Sequence, residues 1–263
     1  MFLVFNKKKI YSYIIAVCTV IMLFFTASVL SDDDLETVQT SAQASNKLVP
    51  IYSVETEQKK LSLTMNCAWN ADDIDSILAT LDKYNIKITF FMVGEWVDKY
   101  PEAVKKISEA GHEIANHSDN HKHVNNLSYE ENVKEILNCS NKIKAITGKE
   151  TTLYRGPYGE YNNTVIKAAN DNNHKMIQWS IDTLDYNGLD TEQMWDRLKN
   201  KINNGSIILM HNGTEHTAIA LGTIIENIQQ KGFEVVTVSN LIYPDNYTID
   251  VNGVQKQNKM NNE

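Results

Sequence analysis

Cysteine is scarce in this chain. It carries three, Cys18, Cys67 and Cys139, too few for the framework of bridges that staples small secreted folds. Cys18 stands inside an apolar stretch near the N-terminus, which leaves at most one pair for the remainder. Positive charge is also in short supply. The 25 Lys and Arg against 33 Asp and Glu give a net charge of −8, the wrong sign for a protein whose main partner is nucleic acid. No Gly-x-Gly-x-x-Gly or phosphate-loop spacing occurs, so neither of those nucleotide cradles is present. No internal repeat is found.

What is present suffices for one good-sized core: 263 residues, 42% of them hydrophobic, fit a single domain with appendages. Lys7, Lys8 and Lys9 precede a charge-free run from Ile10 to Leu30. At ~1.5 Å per residue that run spans about 30 Å, one hydrocarbon core. A basic stretch before an apolar one targets the export machinery, and the positive-inside rule puts the rest of the chain outside the cytoplasm. Residues 1–30 are therefore expected to be a signal anchor or a cleaved signal peptide, with Ala27-Ser28-Val29 the nearest cleavage candidate. Residues 31–58 are polar and read as a flexible linker. Residues 59–243 hold the domain, and residues 244–263 read as a frayed polar tail.

Within the domain, strand and helix patterns alternate. Leu61 to Met65 alternates as a strand. Asp72 to Asp75 opens a helix, and acidic residues suit that end. Ile86 to Val93 is an apolar strand, and Pro101 starts a helix that stops at Gly111. Glu113 to Ala115 is a short strand, and a long amphipathic helix covers Ser128 to Thr147, ended by Gly148. Further helices are expected near Thr164 to Asn170, Thr191 to Ile202 and Ala218 to Gln230. Further strands are expected at Met176 to Trp179, Ser206 to His211 and Phe233 to Val238. About seven strands alternating with helices imply a parallel sheet. Polar clusters follow at least five of them, at Asn66, His117, Arg155, Asp185 and His211. A closed or partly closed (β/α) barrel gathers all strand C-termini at one face, so it explains those clusters better than an open sheet.

The densest cluster is Asn116 to His121. His117 and His121 are four apart, and on a helical turn both imidazoles share one face, within reach of one ion. Two polar loop histidines are the other reading. Asp72 and Asp73 read as helix caps, with a carboxylate for the site as the second role. His123, Asp119 and Asp182 read as solvated or capping residues.

Taken in order, the clusters resemble the five motifs of the polysaccharide deacetylases, the NodB-homology family, from about Lys60 to Leu241. Thr64-Met65-Asn66-Cys67-Ala68 stands where the family has Thr-Phe-Asp-Asp-Gly. His117 to His121 matches His-Ser/Thr-x-x-His, and Arg155 to Tyr158 matches Arg-x-Pro-Tyr/Phe. Asp185-Tyr186 matches the Asp-Trp motif, and Leu209 to His211 matches Leu-x-His. The resemblance implies a distorted (β/α)7 barrel that hydrolyses acetamides on N-acetylglucosamine polymers, or esters on xylan. It implies that His117 and His121 bind a divalent metal, usually Zn²⁺. It further implies that the Tyr158 backbone N–H, on the Pro157-Tyr158 turn, meets the oxyanion. His211 would protonate the leaving amine with Asp185 orienting its ring, Leu209 would line the acetyl-methyl pocket, and Arg155 would hold the group at position 66. The expected partner is a cell-wall glycan, peptidoglycan or a chitin-like polymer, met by an extracytoplasmic domain at the cell membrane.

Two departures from the pattern bear on activity. The family's general base is replaced by Asn66, an amide that cannot take a proton at neutral pH. The family's third metal ligand is replaced by Cys67. A thiolate is a good Zn²⁺ ligand, yet strict alternation aims residues 66 and 67 at opposite faces. Cys67 is thus a metal ligand or a small buried hydrophobe. The readings that follow are a deacetylase of reduced activity, a non-catalytic glycan-binding relative, or a structural envelope protein.

Overall fold

Strands form where the alternation places them, and their register sets the site. The computed structural model describes residues 47–258. The expected membrane segment, residues 1–30, lies outside the described residues. Among the described residues no helix is long and apolar enough to cross a membrane.

The chain runs β1 (Ser53–Val54), β2 (Lys60–Cys67), α1 (Ile74–Lys83), β3 (Thr89–Met92), α2 (Gly94–Lys99), α3 (Pro101–Glu109), β4 (Glu113–Asn116) and α4 (Tyr129–Thr147). It continues through β5 (Leu153–Tyr154), α5 (Asn163–Asp171), β6 (Lys175–Met176), β7 (Ile181–Asp182), α6 (Thr191–Leu198) and β8 (Ile207–His211). It ends with α7 (Thr217–Gln230), β9 (Glu234–Val235), α8 (Val238–Leu241), β10 (Tyr247–Ile249) and β11 (Val254–Gln257). The main sheet has the order β6-β5-β4-β3-β2-β8-β7, with β9 beside the start of β2. Every pairing in it is parallel. This α/β half-barrel is consistent with the expected distorted (β/α)7 barrel.

Alternation sends the two faces of the central strands into different core clusters. Leu61, Leu63, Met65 and Cys67 of β2 join Ile208 and Met210 of β8 in a large cluster that includes Ile74, Ile77 and Leu81 of α1. Phe91, Ala115, Leu153, Ile177 and Ile207 form a second cluster with α8. The even-numbered β2 residues Ser62, Thr64 and Asn66 carry the polar side chains, and Asn66 pairs in register with His211. Local signals fix the helix ends. Ser128 and Glu131 close a capping box on α4, and Gly148 ends it at φ +69°.

Several expectations are corrected. The linker expected over residues 31–58 does not extend through residues 47–58. Ile51 N–H donates to Met176 C=O at 2.9 Å and Gln178 N–H donates to Ile51 C=O at 2.7 Å. Val54 N–H donates to Gly205 C=O at 3.0 Å. The segment thus bridges from the β6 side of the sheet to the turn that leads into β8. Its closest approach needs glycine at 205, where a Cβ would lie 1.7 Å from the Val54 carbonyl oxygen. The tail expected from residue 244 is also structured up to residue 258. Strand β11 pairs with β1 in parallel and with β10 antiparallel. Composition hid this because these short strands present mostly polar residues, and their buried anchor is an amide, Gln255. The strand expected over Phe233 to Val238 is two residues of β9 followed by α8. The strand expected at Met176 to Trp179 is Lys175–Met176, and α2 was not anticipated.

Gln255 gives a direct test of the C-terminal strands. Its Oε1 accepts from Tyr243 N–H at 2.8 Å and its Nε2 donates to Tyr243 C=O at 2.9 Å. Gln255→Ala strands both backbone groups and is expected to cost about 2–3 kcal/mol. Urea unfolding checks this, and a loss within about 0.5 kcal/mol of wild type would mean that the tail is peripheral.

Candidate active site

The site begins with a buried cation. Arg155 follows β5 and is fully buried. Its Nη1 donates to Thr64 Oγ1 at 3.0 Å and to Asn66 Oδ1 at 2.9 Å. Nε donates to Ile177 C=O at 3.3 Å and Nη2 to Gln178 C=O at 3.0 Å. The guanidinium stacks 3.9 Å from the Phe91 ring centre. Among the described residues no carboxylate pairs with it. Burial pulls its pKa down to about 9, against the partial support of the Asp182 charge, so it remains a cation at neutral pH.

The histidine pair is not on a helical turn. Residues 117–123 form a loop after β4, with Ser118 at φ 70° and His121 at φ 51°. Both are left-handed conformations that side chains other than glycine adopt only when held. The holder is Glu135 of α4. Its Oε2 accepts from Ser118 Oγ, Asp119 N–H and Asn120 N–H, and its Oε1 accepts from Asn120 Nδ2 and Lys122 Nζ, all within 3.1 Å. Burial alone would raise the Glu135 carboxyl, but donors from Asn120, Lys122 and Ser118 overcome it and hold the group at about 2. Asp119, expected as a solvated or capping residue, is buried, with Lys142 Nζ 2.6 Å away.

Within that loop the two imidazoles come together, with centres 5.1 Å apart and planes at 81°. His117 Nδ1 lies 2.8 Å from Arg155 C=O. A carbonyl only accepts, so Nδ1 carries the proton and Nε2 keeps its lone pair. Burial favours the neutral form of both rings, joined for His117 by the neighbouring His121 and for His121 by the nearby His211.

The second half of the site comes from β8. His211 Nδ1 is 2.9 Å from Asp185 Oδ1. Asp185 Oδ2 accepts from His211 N–H at 2.6 Å and Thr217 Oγ1 at 2.7 Å. The carboxylate thereby fixes both the backbone and the ring of His211.

A cavity of about 470 Å³ collects Asn66, His117, His121, Tyr158, Leu209 and His211 on its walls. Arg155 and Asp185 stand behind Asn66 and His211. Pro157 is buried ahead of Tyr158, which sits at φ 59°. His123 stacks on the Tyr158 ring at 4.2 Å and meets Glu160 at 2.7 Å.

Cys67 is not brought to the cavity. It is fully buried on the helix side of β2, where strand alternation sends it. Burial and the Asp73 charge push its thiol well up, against the thiolate a metal needs. The ligand role left open for Cys67 is corrected to core packing. Asp73 neither caps α1 with its side chain nor joins the cavity; it accepts from Gly213 N–H at 2.7 Å and Asn212 Nδ2 at 3.2 Å. Two free imidazole nitrogens suit a divalent metal. Among the described residues, however, no group of three His, Cys, Asp or Glu is placed to hold one. The donor set therefore stops short of the three protein ligands of a catalytic zinc.

Sequence reasoning missed the aromatic wall. Trp69, Trp96, Trp179 and Tyr186 line the cavity together with two carboxylates, Glu95 and Asp182. Asp182 keeps its capping role too, accepting from Leu184 N–H at 2.8 Å. A usable signal existed: three of the four tryptophans lie within a few residues after a strand end.

Residues 53–177 match the family described as Polysaccharide deacetylase. A peptidoglycan-N-acetylglucosamine deacetylase of Bacillus cereus is 30% identical over 196 residues, covering 73% of this chain and 92% of that protein. The uncharacterised protein YlxY of Bacillus subtilis is 31% identical over 193 residues, covering 73% of this chain and 60% of that protein. A crystal structure of a CE4 family pseudoenzyme from Bacillus anthracis superposes with a TM-score of 0.71 at 32% identity, covering 73% of this chain and 68% of that one. A mutant of that pseudoenzyme, described as having restored enzymatic activity, matches equally, at a TM-score of 0.71.

The clamp on the histidine loop is testable. Glu135→Gln puts an N–H₂ where three donors converge and is expected to cost about 2–4 kcal/mol. Amide exchange at residues 118–122 should quicken more than elsewhere. Uniform exchange across the domain would show that the loop does not depend on Glu135.

Proposed function

The chain belongs to the polysaccharide deacetylase family, the NodB-homology carbohydrate esterases, and on that premise we propose that it binds an N-acetylated cell-wall glycan in the aromatic-walled cavity and removes acetyl groups from it only slowly. The observation that carries this reading is the 2.9 Å hydrogen bond from Arg155 to Asn66. The position of the family's base is occupied and locked, but by an amide.

The remaining parts have work to do. Trp69, Trp179 and Tyr186 offer faces on which sugar rings pack. Leu209 offers an apolar contact for the acetyl methyl group. The Tyr158 backbone N–H donates to the carbonyl oxygen as charge develops on it. His211, its ring held by Asp185, gives its Nε2 proton to the departing amine. The base position itself cannot take the proton of the attacking water, since the Asn66 oxygen already accepts from Arg155 and its nitrogen has no available lone pair. General-base catalysis typically contributes ~10²–10⁴-fold, and turnover falls by that factor. Zn²⁺ is the metal the family resemblance implies, with His117 and His121 as its protein ligands among the described residues.

The position of Cys67 favours a second reading, a glycan-binding protein without turnover, because a third ligand is then missing as well as the base. The pseudoenzyme relative from Bacillus anthracis is consistent with it. For location, Lys7 to Lys9 ahead of Ile10 to Leu30 support an extracytoplasmic domain at the cell membrane.

Asn66→Asp is expected to raise acetate release from chito-oligosaccharide or peptidoglycan, toward the low end of ~10²–10⁴-fold, with the gain appearing in kcat. If the variant binds glycan yet releases acetate no faster than wild type, the binding reading stands. Elemental analysis of wild type against the His117→Ala, His121→Ala double variant tests the metal; equal content in both removes it. Protease treatment of intact protoplasts tests location, and a protected domain excludes the extracytoplasmic assignment.

A further inference from the structure

Position 66 offers the cavity more than an absent base. We infer that Asn66 is the residue by which the cavity recognises the acetyl group itself, its side-chain N–H donating to the acetyl carbonyl oxygen of the bound sugar. This rests on the proposed reading of the cavity as a glycan site.

The argument starts from the orientation of the amide. Oxygen and nitrogen of an Asn side chain are told apart by their hydrogen-bond partners. Here the partner is a guanidinium, which donates and never accepts. Arg155 cannot turn away. Its Nε and Nη2 are tied to the carbonyls of Ile177 and Gln178, its Nη1 also holds Thr64 Oγ1, and its face is stacked on Phe91. Flipping Asn66 would set N–H₂ against N–H₂ in a fully buried place. The Asn66 oxygen therefore points at Arg155, and its nitrogen is the atom available to the cavity.

Asn66 is 5% exposed and lines the cavity, and no residue among those described accepts a hydrogen bond from its Nδ2. The donor faces the cavity, and an acceptor brought by a ligand can take its hydrogen bond in place of solvent. Two residues down β8 from His211, the register partner of Asn66, Leu209 presents an apolar side chain to the same cavity. A donor beside an apolar wall complements an acetamide, which brings a carbonyl oxygen and a methyl group. The same donor faces the wrong way for a free amino sugar, whose ammonium only donates. A carboxylate at this position would invert the preference, because it accepts from both Arg155 and an ammonium. The cavity thus distinguishes the acetylated from the deacetylated sugar in the ground state, and Asn66 sets the sign of that choice.

The test is binding of chitotetraose and of its fully deacetylated counterpart to the purified full-length chain. High salt screens the attraction of Glu95 and Asp182 for an ammonium. Acetate release is followed in the same samples, so that any ligand consumed is counted. Wild type is expected to favour the acetylated oligomer by about three- to tenfold, the worth of one hydrogen bond. Asn66→Ala should bring the ratio close to one. Asn66→Asp keeps an acceptor for Arg155, so it retains the fold, and it should reverse the preference. A ratio unchanged in both variants overturns the inference. Equal binding of the two oligomers by wild type also overturns it, while leaving the glycan site standing. Binding of neither oligomer removes the glycan reading, and the inference with it.

Discussion

A guanidinium sealed from water must find acceptors, and the site is arranged around where Arg155 finds them. Two come from β2, at Thr64 and Asn66, and two from the carbonyls that follow β6. Its own carbonyl takes the His117 Nδ1 proton. One side chain thus ties the centre of the sheet to its β6 edge, and its backbone sets the tautomer of a histidine on β4's loop. Such a residue restricts its neighbours by polarity rather than by shape. Position 66 has to present an oxygen, and an aspartate and an asparagine both do. An apolar residue of the same size would leave a buried donor unmet at a cost of about 1–3 kcal/mol. Chemistry at position 66 can therefore change while the architecture persists.

Legibility from sequence followed the range of the forces. Helix ends were readable because capping is local: the Ser128 and Glu131 box and the stop at Gly148 act within a turn. The inward and outward faces of β2 were readable because the pleat has a period of two, and that period also decided against Cys67 as a ligand. The motif residues Asn66, His117, His121, Tyr158, Leu209 and His211 do converge on one cavity. The conformation of the histidine loop was not readable. Spacing alone suggested a helical turn, whereas the loop takes its shape from Glu135, a residue 13 to 17 positions from the donors its carboxylate gathers. Nor was the N-terminal bridge readable, since the apolar stretch from Leu48 to Val54 is short and the partners of Ile51 and Val54 lie more than 100 residues along the chain.

The two halves of the cavity are built to different standards. His211 is fixed at ring and backbone by one carboxylate, with Thr217 bracing that carboxylate. Trp69 and Tyr186, whose rings lie 5.2 Å from the His211 ring, are about half exposed. The His211 ring is held at both ends, whereas the aromatic faces beside it keep room to adjust to what lies against them. That division suits a polymer, whose reacting group must be registered closely while its sugar rings arrive in varied settings.

The pairing of β1 with β11 has a consequence in time. Ser53 and Val54, near the start of the described residues, find their strand partners about 200 residues on, at Val254 and Gln255. Contacts so distant in sequence carry a heavy loop-closure penalty and tend to form late. Until the final strands are made, Ile51 can bridge to Ile177, but the small sheet that buries Gln255 has no third member. A nascent chain halted shortly before residue 254 would hold most of its barrel with its clasp undone.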